Sequence, residues 1–221
     1  MTLPSRGLIV QSAGFPVLAA LILFGAAGRV GLPLYWIYVA IIAALSVGGL
    51  YLIGEDLARE RLRPGGKPPP RSLRLAFLLC PLHWAIAGLD RGRFHWSDGV
   101  PLWLQVAALV VLALGLALTL WAMHVNRFFS SAVRIQADRG QRVVEDGPYR
   151  WVRHPGYLGA IPVLTASGLI LCSWLATALG AFGSLWLLWR TRAEDRLLRA
   201  ELPGYEAYAE RVRWRLLPGV W

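Results

Sequence analysis

The sequence predicts an all-α integral membrane protein of about six transmembrane helices, in which the last two form a tight helical hairpin. Of its 221 residues, 56% are hydrophobic and only 16% are charged, a composition more apolar than that of most soluble domains of this size. The apolar residues fall into long uncharged runs, and the positive charges lie mainly between alternate runs. Together these features are typical of a polytopic membrane protein.

The uncharged runs give the predicted spans in order. A single crossing needs about 20 apolar residues, and four runs suit one crossing each: 7–28, 30–54, 75–89 and 99–125. The fifth run, 156–189, would overshoot a hydrocarbon core of about 30 Å if it were one helix rising about 1.5 Å per residue. We therefore predict that it folds back near Cys172 and Ser173 and makes two crossings.

The distribution of Lys and Arg predicts the orientation. If the N-terminus lies inside, the inner segments carry every Lys and Arg residue except Arg29, Arg91 and Arg93. Cytoplasmic loops collect these residues, so both termini are expected in the cytoplasm. Topology then accounts for the formal net charge of +10, and no nucleic-acid partner is expected. The 22 Arg and one Lys favour a GC-rich genome and a bacterial inner membrane.

The segment 126–153, between the fourth and fifth spans, is expected to form a folded cap on the inner face. Loops longer than about 12 to 15 residues are uncommon unless they are functional or disordered. The stretches SSAVRIQ and QRVVE are predicted to pair as short strands across ADRG. After Trp189 the last span is expected to continue as a polar helix until Pro203 and Gly204 break it, with a second short helix beyond.

The predicted hairpin brings two groups of chemically active side chains to one surface. These are Arg153, His154 and Tyr157 at its start and Arg190, Glu194 and Asp195 at its end. Guanidinium groups bind carboxylates or phosphates, and a carboxylate binds ribose hydroxyls, an amine or a cation. The set fits a zwitterionic, nucleoside-like cofactor. A metal site is not predicted, because one histidine with two carboxylates lacks the usual ligand spacing. Interfacial anchoring explains either group alone, but not both beneath a long loop.

Three segments, GPYRWVRHPGY, RTRAEDRLL and YEAYAERVRWRLLPGVW, resemble the integral-membrane methyltransferases. This family includes the isoprenylcysteine carboxyl methyltransferases and the short phospholipid N-methyltransferases. The resemblance covers roughly the C-terminal half of the chain, 126–221. It departs from the family pattern at two positions: Asp195 stands where a second Glu is usual, and Gln141 stands where a His is common.

The resemblance implies a site for S-adenosylmethionine. The residues implied to bind this cofactor are Arg153, His154, Pro155, Tyr157 and Glu194, with the loop around Val143, Val144, Gly147 and Tyr149. The implied catalytic residues are Arg190, Glu194 and Asp195, near the transferred methyl group or the acceptor. On this interpretation 126–221 is the cofactor-binding catalytic region, and 1–125 is a four-span scaffold that carries the surface for an acceptor lipid.

The acceptor is predicted to be a membrane lipid, namely the headgroup amine of phosphatidylethanolamine or its partly methylated forms. Paired acidic residues suit an amine, and ethanolamine lipids abound in bacteria. The alternative is carboxyl O-methylation of the isoprenylcysteine type, or methylation of another small lipophile. An NADPH-dependent sterol-type reductase is a further rival, with a related C-terminal architecture. A transporter is disfavoured, because the predicted spans contain no Asp, Glu, Lys or Arg. The oligomeric state is left open.

Overall fold

The computed structural model describes residues 4–66, 71–97 and 99–221. Within these ranges the chain is all-helical and contains no strand, which confirms the predicted fold class. The helices are α1 (Arg6–Ala27), α2 (Pro33–Ala43), α3 (Gly49–Leu62), α4 (Arg71–Leu89), α5 (Leu102–Val125), α6 (Pro155–Ile170), α7 (Trp174–Glu201) and α8 (Tyr205–Arg211).

Helices occupy all of the predicted spans. Among the described residues, three helical stretches are long and apolar enough to cross a membrane: α1, the stretch Pro33–Gly66 and α5. Helix α6 is also apolar but shorter. Many large apolar side chains face outward from these helices, such as Val10 and Trp103, which are 72% and 71% exposed. Such a surface suits lipid, and the chain is an integral membrane protein; the total of six crossings stays a prediction.

A break at Gly54 divides α3 into an apolar and a charged part. Gly54 has φ 76° and ψ 162°, a backbone conformation that glycine adopts without steric cost. The break coincides with the end of the predicted second span. Beyond it, residues 55–62 form a short helical segment, here called the α3 arm, with the sequence EDLARERL. The α3 arm lies at the end of the bundle that carries the loop 126–153.

Helices α6 and α7 form the predicted hairpin, and the chain reverses at Leu171 to Ser173 as expected. The two backbones are in direct contact. A Cβ on Gly180 would lie 2.1 Å from Leu164 O, and one on Gly168 would lie 2.2 Å from Thr177 N. Glycine is therefore required at both positions, because small residues let helix backbones approach closely.

The turn of the hairpin is anchored at the end of the bundle opposite the loop. Ser173 caps α7 by accepting a hydrogen bond from Ala176 N, and its hydroxyl donates to the buried carboxylate of Asp90 at 2.6 Å. Ser97 donates to the same carboxylate from its backbone N–H at 2.8 Å. These bonds fix the far end of the hairpin and so help to fix where its two other ends meet.

The loop 126–153 does not contain the predicted strands. The stretch ADRG instead forms a 3₁₀ turn, Ala137–Arg139, closed by Gly140 at φ 62°. Side chains hold the flanking residues: Gln136 N donates to the side-chain oxygen of Gln141 at 2.7 Å, and Gln136 Nε2 donates to Phe128 O at 2.6 Å. The strand prediction was wrong because side chains satisfy polar groups that a strand ladder would have paired.

The α3 arm ties the loop down. The buried carboxylate of Glu60 accepts hydrogen bonds from Ser130 Oγ at 2.8 Å and from Arg134 Nη2 at 3.0 Å. Next to it, Ser131 Oγ donates to Arg61 O at 2.6 Å. The cap on the site is thus held by a segment that the sequence assigned to the scaffold.

The C-terminal region follows the prediction. Helix α7 extends beyond Trp189 to Glu201, Gly204 turns the chain at φ 82°, and α8 follows. A small apolar cluster of Leu202, Tyr205, Tyr208 and Ala209 packs against Val143 and Ile135 of the loop. The loop is therefore held between the α3 arm and α8.

Candidate active site

The C-terminal tail fixes the start of α6. Pro155 occupies the first helical position, where its missing N–H costs no hydrogen bond. The backbone N–H groups of Arg153 and His154 donate to Trp214 O and Arg215 O, each at 2.9 Å. Both residues are consequently buried beneath the loop, at 3% and 5% exposure.

Asp195 is the centre of a buried ionic network. Arg153 donates to it from Nε at 2.8 Å and from Nη2 at 3.2 Å, and Arg215 Nε donates at 2.8 Å. His154 Nε2 and the hydroxyl of Tyr205 each lie 3.2 Å from Asp195 Oδ1. A fully buried carboxylate is stable only when it is paired and hydrogen-bonded, so this network holds Asp195 as an anion.

The protonation states in this network follow from its contacts. Burial by itself raises the pKa of Asp195, but the hydrogen bonds from His154, Arg153 and Arg215 outweigh it and hold the pKa well below its usual range. Burial and the charge of Asp195 raise the pKa of Tyr205. At neutral pH Asp195 is therefore a fixed anion and Tyr205 a protonated donor.

A second hydrogen-bonded chain joins the two ends of the hairpin. Arg190 Nε donates to the hydroxyl oxygen of Tyr157 at 2.8 Å, and this hydroxyl donates to Glu194 Oε2 at 2.8 Å. Arg190 also donates from Nη2 to Ser131 O in the loop. Within the part of the chain that the structure describes, no carboxylate forms a direct ion pair with Arg190.

The second half of the loop is anchored at Tyr149 and Gly147. The hydroxyl of Tyr149 accepts from Asn126 Nδ2 at 3.1 Å, and its carbonyl accepts from the hydroxyl of Tyr208 at 2.8 Å. Gly147 has φ 56°, and a Cβ there would lie 2.9 Å from Val125 Cγ2. Both restraints hold this half of the loop against the end of α5 and against α8.

These groups surround a cavity of about 270 Å³, close to the lower end of the range of about 300–1,000 Å³ for small-molecule sites. The predicted site residues that line it are Val143, Val144, Tyr149, Arg153, His154, Tyr157, Arg190 and Glu194. Three others lie just outside its wall: Gly147 and Pro155 shape the backbone, and Asp195 lies behind Arg153 and His154. In the described ranges, no group of three or more His, Cys, Asp or Glu side chains could hold a metal ion.

Several lining residues were not singled out from the sequence. They include Arg61, Asn126, Phe129, Trp186, Tyr205 and Tyr208. Tyr205 and Tyr208 had a usable signal, because the segment YEAYAER was expected to form a helix just after the site. Arg61 had none, because it lies in the region 1–125 that was expected to be scaffold.

Known proteins resemble this chain in sequence and in fold. Residues 106–200 match the sequence model of the isoprenylcysteine carboxyl methyltransferase (ICMT) family. Among solved structures, the fold is similar to that of the eukaryotic intramembrane Ras methyltransferase ICMT, with a TM-score of 0.62 and 18% sequence identity. That similarity covers 95% of this chain and 75% of the other. No curated protein matches the chain in sequence. The matched residues include the loop, α6 and most of α7, and therefore most of the cavity wall.

Proposed function

We propose that this chain is an integral membrane methyltransferase of the isoprenylcysteine carboxyl methyltransferase family, and that it transfers a methyl group from S-adenosylmethionine to the carboxylate of a lipophilic acid in the membrane. The observation that carries this proposal is the position of Arg190. Its guanidinium group faces the cavity, is held in place by Tyr157 and Ser131, and has no carboxylate partner among the described residues.

The residues around the cavity suit S-adenosylmethionine, which supplies a methyl group activated on a sulfonium. Glu194 is the single carboxylate among the described residues that line the cavity, and it suits a cationic or hydroxyl-bearing ligand. The phenols of Tyr157 and Tyr205 and the loop at Val143 and Val144 add polar and apolar contacts. We assign donor binding to these residues together with His154, Arg153 and Tyr149.

The chemistry places few demands on this chain beyond alignment. A carboxylate acceptor is ionised at neutral pH and needs no base, so the main requirement is to hold it in line with the methyl group and away from water. A guanidinium group binds a carboxylate through two parallel hydrogen bonds. Arg190 would orient the acceptor in this way, while Tyr157 keeps Glu194 close to the same guanidinium.

The prediction of phosphatidylethanolamine N-methylation is not supported, and the family match favours the carboxyl alternative. An amine acceptor is protonated near neutral pH and must lose a proton before it attacks. Two adjacent acids, Glu194 and Asp195, could accept this proton. Of these, Asp195 is enclosed by Arg153, His154 and Arg215. The family match also disfavours the sterol-type reductase and the transporter.

The charge distribution supports an orientation for the proposed enzyme. The cavity lies at the end of the bundle that carries the Arg-rich segments 126–153 and 190–215. Because such segments are retained in the cytoplasm, we propose that the site and both termini face the cytoplasm, and that the protein resides in a bacterial inner membrane.

The test is an assay that separates ester from amine products. Purified protein in detergent is incubated with S-adenosylmethionine that is radiolabelled on the methyl group. One reaction contains S-farnesyl-N-acetylcysteine, a lipophilic acid, and the other contains phosphatidylethanolamine. We expect label on the acid that is released as volatile methanol by alkali, because methyl esters hydrolyse and N-methyl groups do not. Alkali-stable label on the phospholipid, with none on the acid, would contradict the proposal.

A further inference from the structure

Arg61 brings a guanidinium group to the cavity from outside the region matched by the family. It lies in the last turn of α3, on the α3 arm, whereas the family match begins at residue 106. Arg61 is partly buried, and its side chain lines the same cavity as Arg190. The N-terminal half of the chain therefore contributes a charge to the proposed active site.

The side chain of Arg61 has few partners. Its Nη1 donates to Phe129 O at 3.4 Å, which is near the limit for a hydrogen bond, and its guanidinium lies 5.3 Å from the centre of the Phe129 ring. No carboxylate in the described ranges pairs with it. Two neighbouring arginines differ: Arg59 pairs with Glu55, and Arg134 pairs with Glu60 at 3.0 Å.

Arg61 and Arg190 converge on one short stretch of the loop. Arg61 donates to the carbonyl of Phe129, and Arg190 donates to the carbonyl of Ser131 two residues later. Ser131 in turn donates to the carbonyl of Arg61. Burial lowers the pKa of the Arg61 guanidinium to about 10, and the charge of Arg190 contributes in the same direction. Two like charges held together beside the apolar walls of a cavity are unfavourable unless an anion binds between them.

Neither Asp195 nor Glu194 forms an ion pair with Arg61 or Arg190. Arg153 already neutralises Asp195, and Glu194 is bonded to the hydroxyl of Tyr157. We propose that Arg61 and Arg190 together form the binding site for the carboxylate of the methyl acceptor, so that the N-terminal half of the chain selects an acidic acceptor. This inference rests on the proposed function and names the residue that would give it specificity.

The geometry also explains how Arg61 would be positioned. The residue before it, Glu60, is buried and bonded to Ser130 and Arg134 of the loop. The backbone of Arg61 is thus fixed on both sides, by Glu60 and by Ser131. Its side chain keeps donors that can turn toward a ligand, as a guanidinium group has five N–H donors.

The experiment compares Arg61→Gln and Arg61→Lys with Arg59→Gln. Arg59 is a matched control because it lies on the same arm with a side chain 66% exposed. Kinetics are measured for S-farnesyl-N-acetylcysteine and for S-adenosylmethionine separately. For Arg61→Gln we expect KM for the acid to rise about tenfold or more, with KM and binding of S-adenosylmethionine changed less than twofold. Arg61→Lys should fall between, since it keeps the charge but loses the planar fork. Arg59→Gln should match the wild type.

A second measurement uses only the wild-type protein and does not depend on the folding of a variant. Unlabelled S-farnesyl-N-acetylcysteine and its uncharged amide are tested separately as competitors of the labelled acid in the methylation reaction. The unlabelled acid should bind at least tenfold more tightly than the amide. Equal binding of acid and amide would overturn the proposal. So would an unchanged KM for the acid in Arg61→Gln, or a parallel rise in KM for S-adenosylmethionine, since the latter would assign Arg61 to the carboxylate of the donor. Failure of the proposed function is distinguishable, because no acid would then be methylated by any variant.

Discussion

Arg153 Nε lies 2.8 Å from Asp195 Oδ1, and the two side chains are 1% and 0% exposed. The pair joins residues 42 positions apart in the chain and fixes the start of α6 against α7. It therefore supports the cavity wall, in which Arg153 takes part and behind which Asp195 lies.

Removing the charge of Asp195 should unfold the site rather than slow one chemical step. In Asp195→Asn, Arg153 would keep a buried charge without a counterion, a loss that costs about 3–5 kcal/mol in comparable buried pairs. We expect a lower thermal unfolding temperature in detergent and weaker binding of S-adenosylmethionine. Asp146→Asn is the control, because the Asp146 side chain is 79% exposed and pairs with Arg150 at 3.3 Å, so its loss should cost less than about 1 kcal/mol. Equal stability of wild type and Asp195→Asn would contradict this view.

The loss of stability caused by Asp195→Asn should depend on pH in a defined way. The pKa of Asp195 is lower in the folded protein than its usual value, so its contribution to stability is complete above the unfolded pKa of about 3.9 and is lost as the pH falls toward the lower folded value. We expect the stability difference between wild type and Asp195→Asn to be constant from about pH 5 to pH 8. It should shrink below about pH 4. Denaturant titrations in detergent at several pH values would measure it, and a difference that grows on acidification would be inconsistent with an ionised Asp195.

Removing the hydroxyl of Tyr157 should lower the rate of methyl transfer without lowering the stability of the fold. Tyr157→Phe deletes the oxygen that joins Arg190 to Glu194 but keeps the ring. We expect kcat for the lipophilic acid to fall about tenfold or more, since a hydrogen bond to a charged group contributes about 1.5–3 kcal/mol, with little change in unfolding temperature. Tyr35→Phe is the opposite control: Tyr35 bonds to Ala87 O and Leu171 O far from the site, so it should lower stability and leave kcat unchanged. The same kcat in wild type and Tyr157→Phe would exclude the bridge from catalysis.

Two glycines on α7 should respond differently to substitution. In Gly180→Ala the new methyl group would meet the backbone oxygen of Leu164 at 2.1 Å, whereas in Gly183→Ala it would meet only the side-chain methyl of Leu164 at 3.2 Å. Because a backbone cannot move aside as a side-chain methyl can, we expect Gly180→Ala to destabilise by about 1–3 kcal/mol. Gly183→Ala should remain near wild type. Thermal unfolding and methyl transfer measured on both variants decide the point, and equal losses in the two would argue against close backbone contact.

The sequence predicted those parts of the fold that depend on length and on local breaking signals. The run 156–189 was too long for one span, and the reversal occurs at Leu171 to Ser173 as expected. Gly54 ended the second uncharged run, and Gly204 followed a polar helix; both act as breaks. The predicted hairpin was by itself enough to predict that Tyr157 lies close to Arg190 and Glu194.

The features that could not be predicted depend on which residues pair with each other across long distances in the sequence. Glu60 and Arg61 were not predicted to touch the loop, because many acidic and basic residues could have paired and local spacing did not rank them. The stretches SSAVRIQ and QRVVE were predicted to pair as strands, but side-chain hydrogen bonds of residues such as Glu60 and Gln136 hold the loop instead. Asp195 was grouped with Glu194 because the two are adjacent, yet on a helix adjacent residues point about 100° apart, and only Glu194 reaches the cavity wall.

The break at Gly54 bears on how chimeras of this protein should be designed. A boundary at residue 125, between the uncharged spans and the loop, looks natural from hydropathy but would separate Glu60 and Arg61 from the partners that hold them. A boundary at Gly54 would exchange only α1, α2 and the apolar part of α3. The contribution of lipid-facing helices to acceptor preference could then be tested with the charged arm and its loop transplanted as a unit.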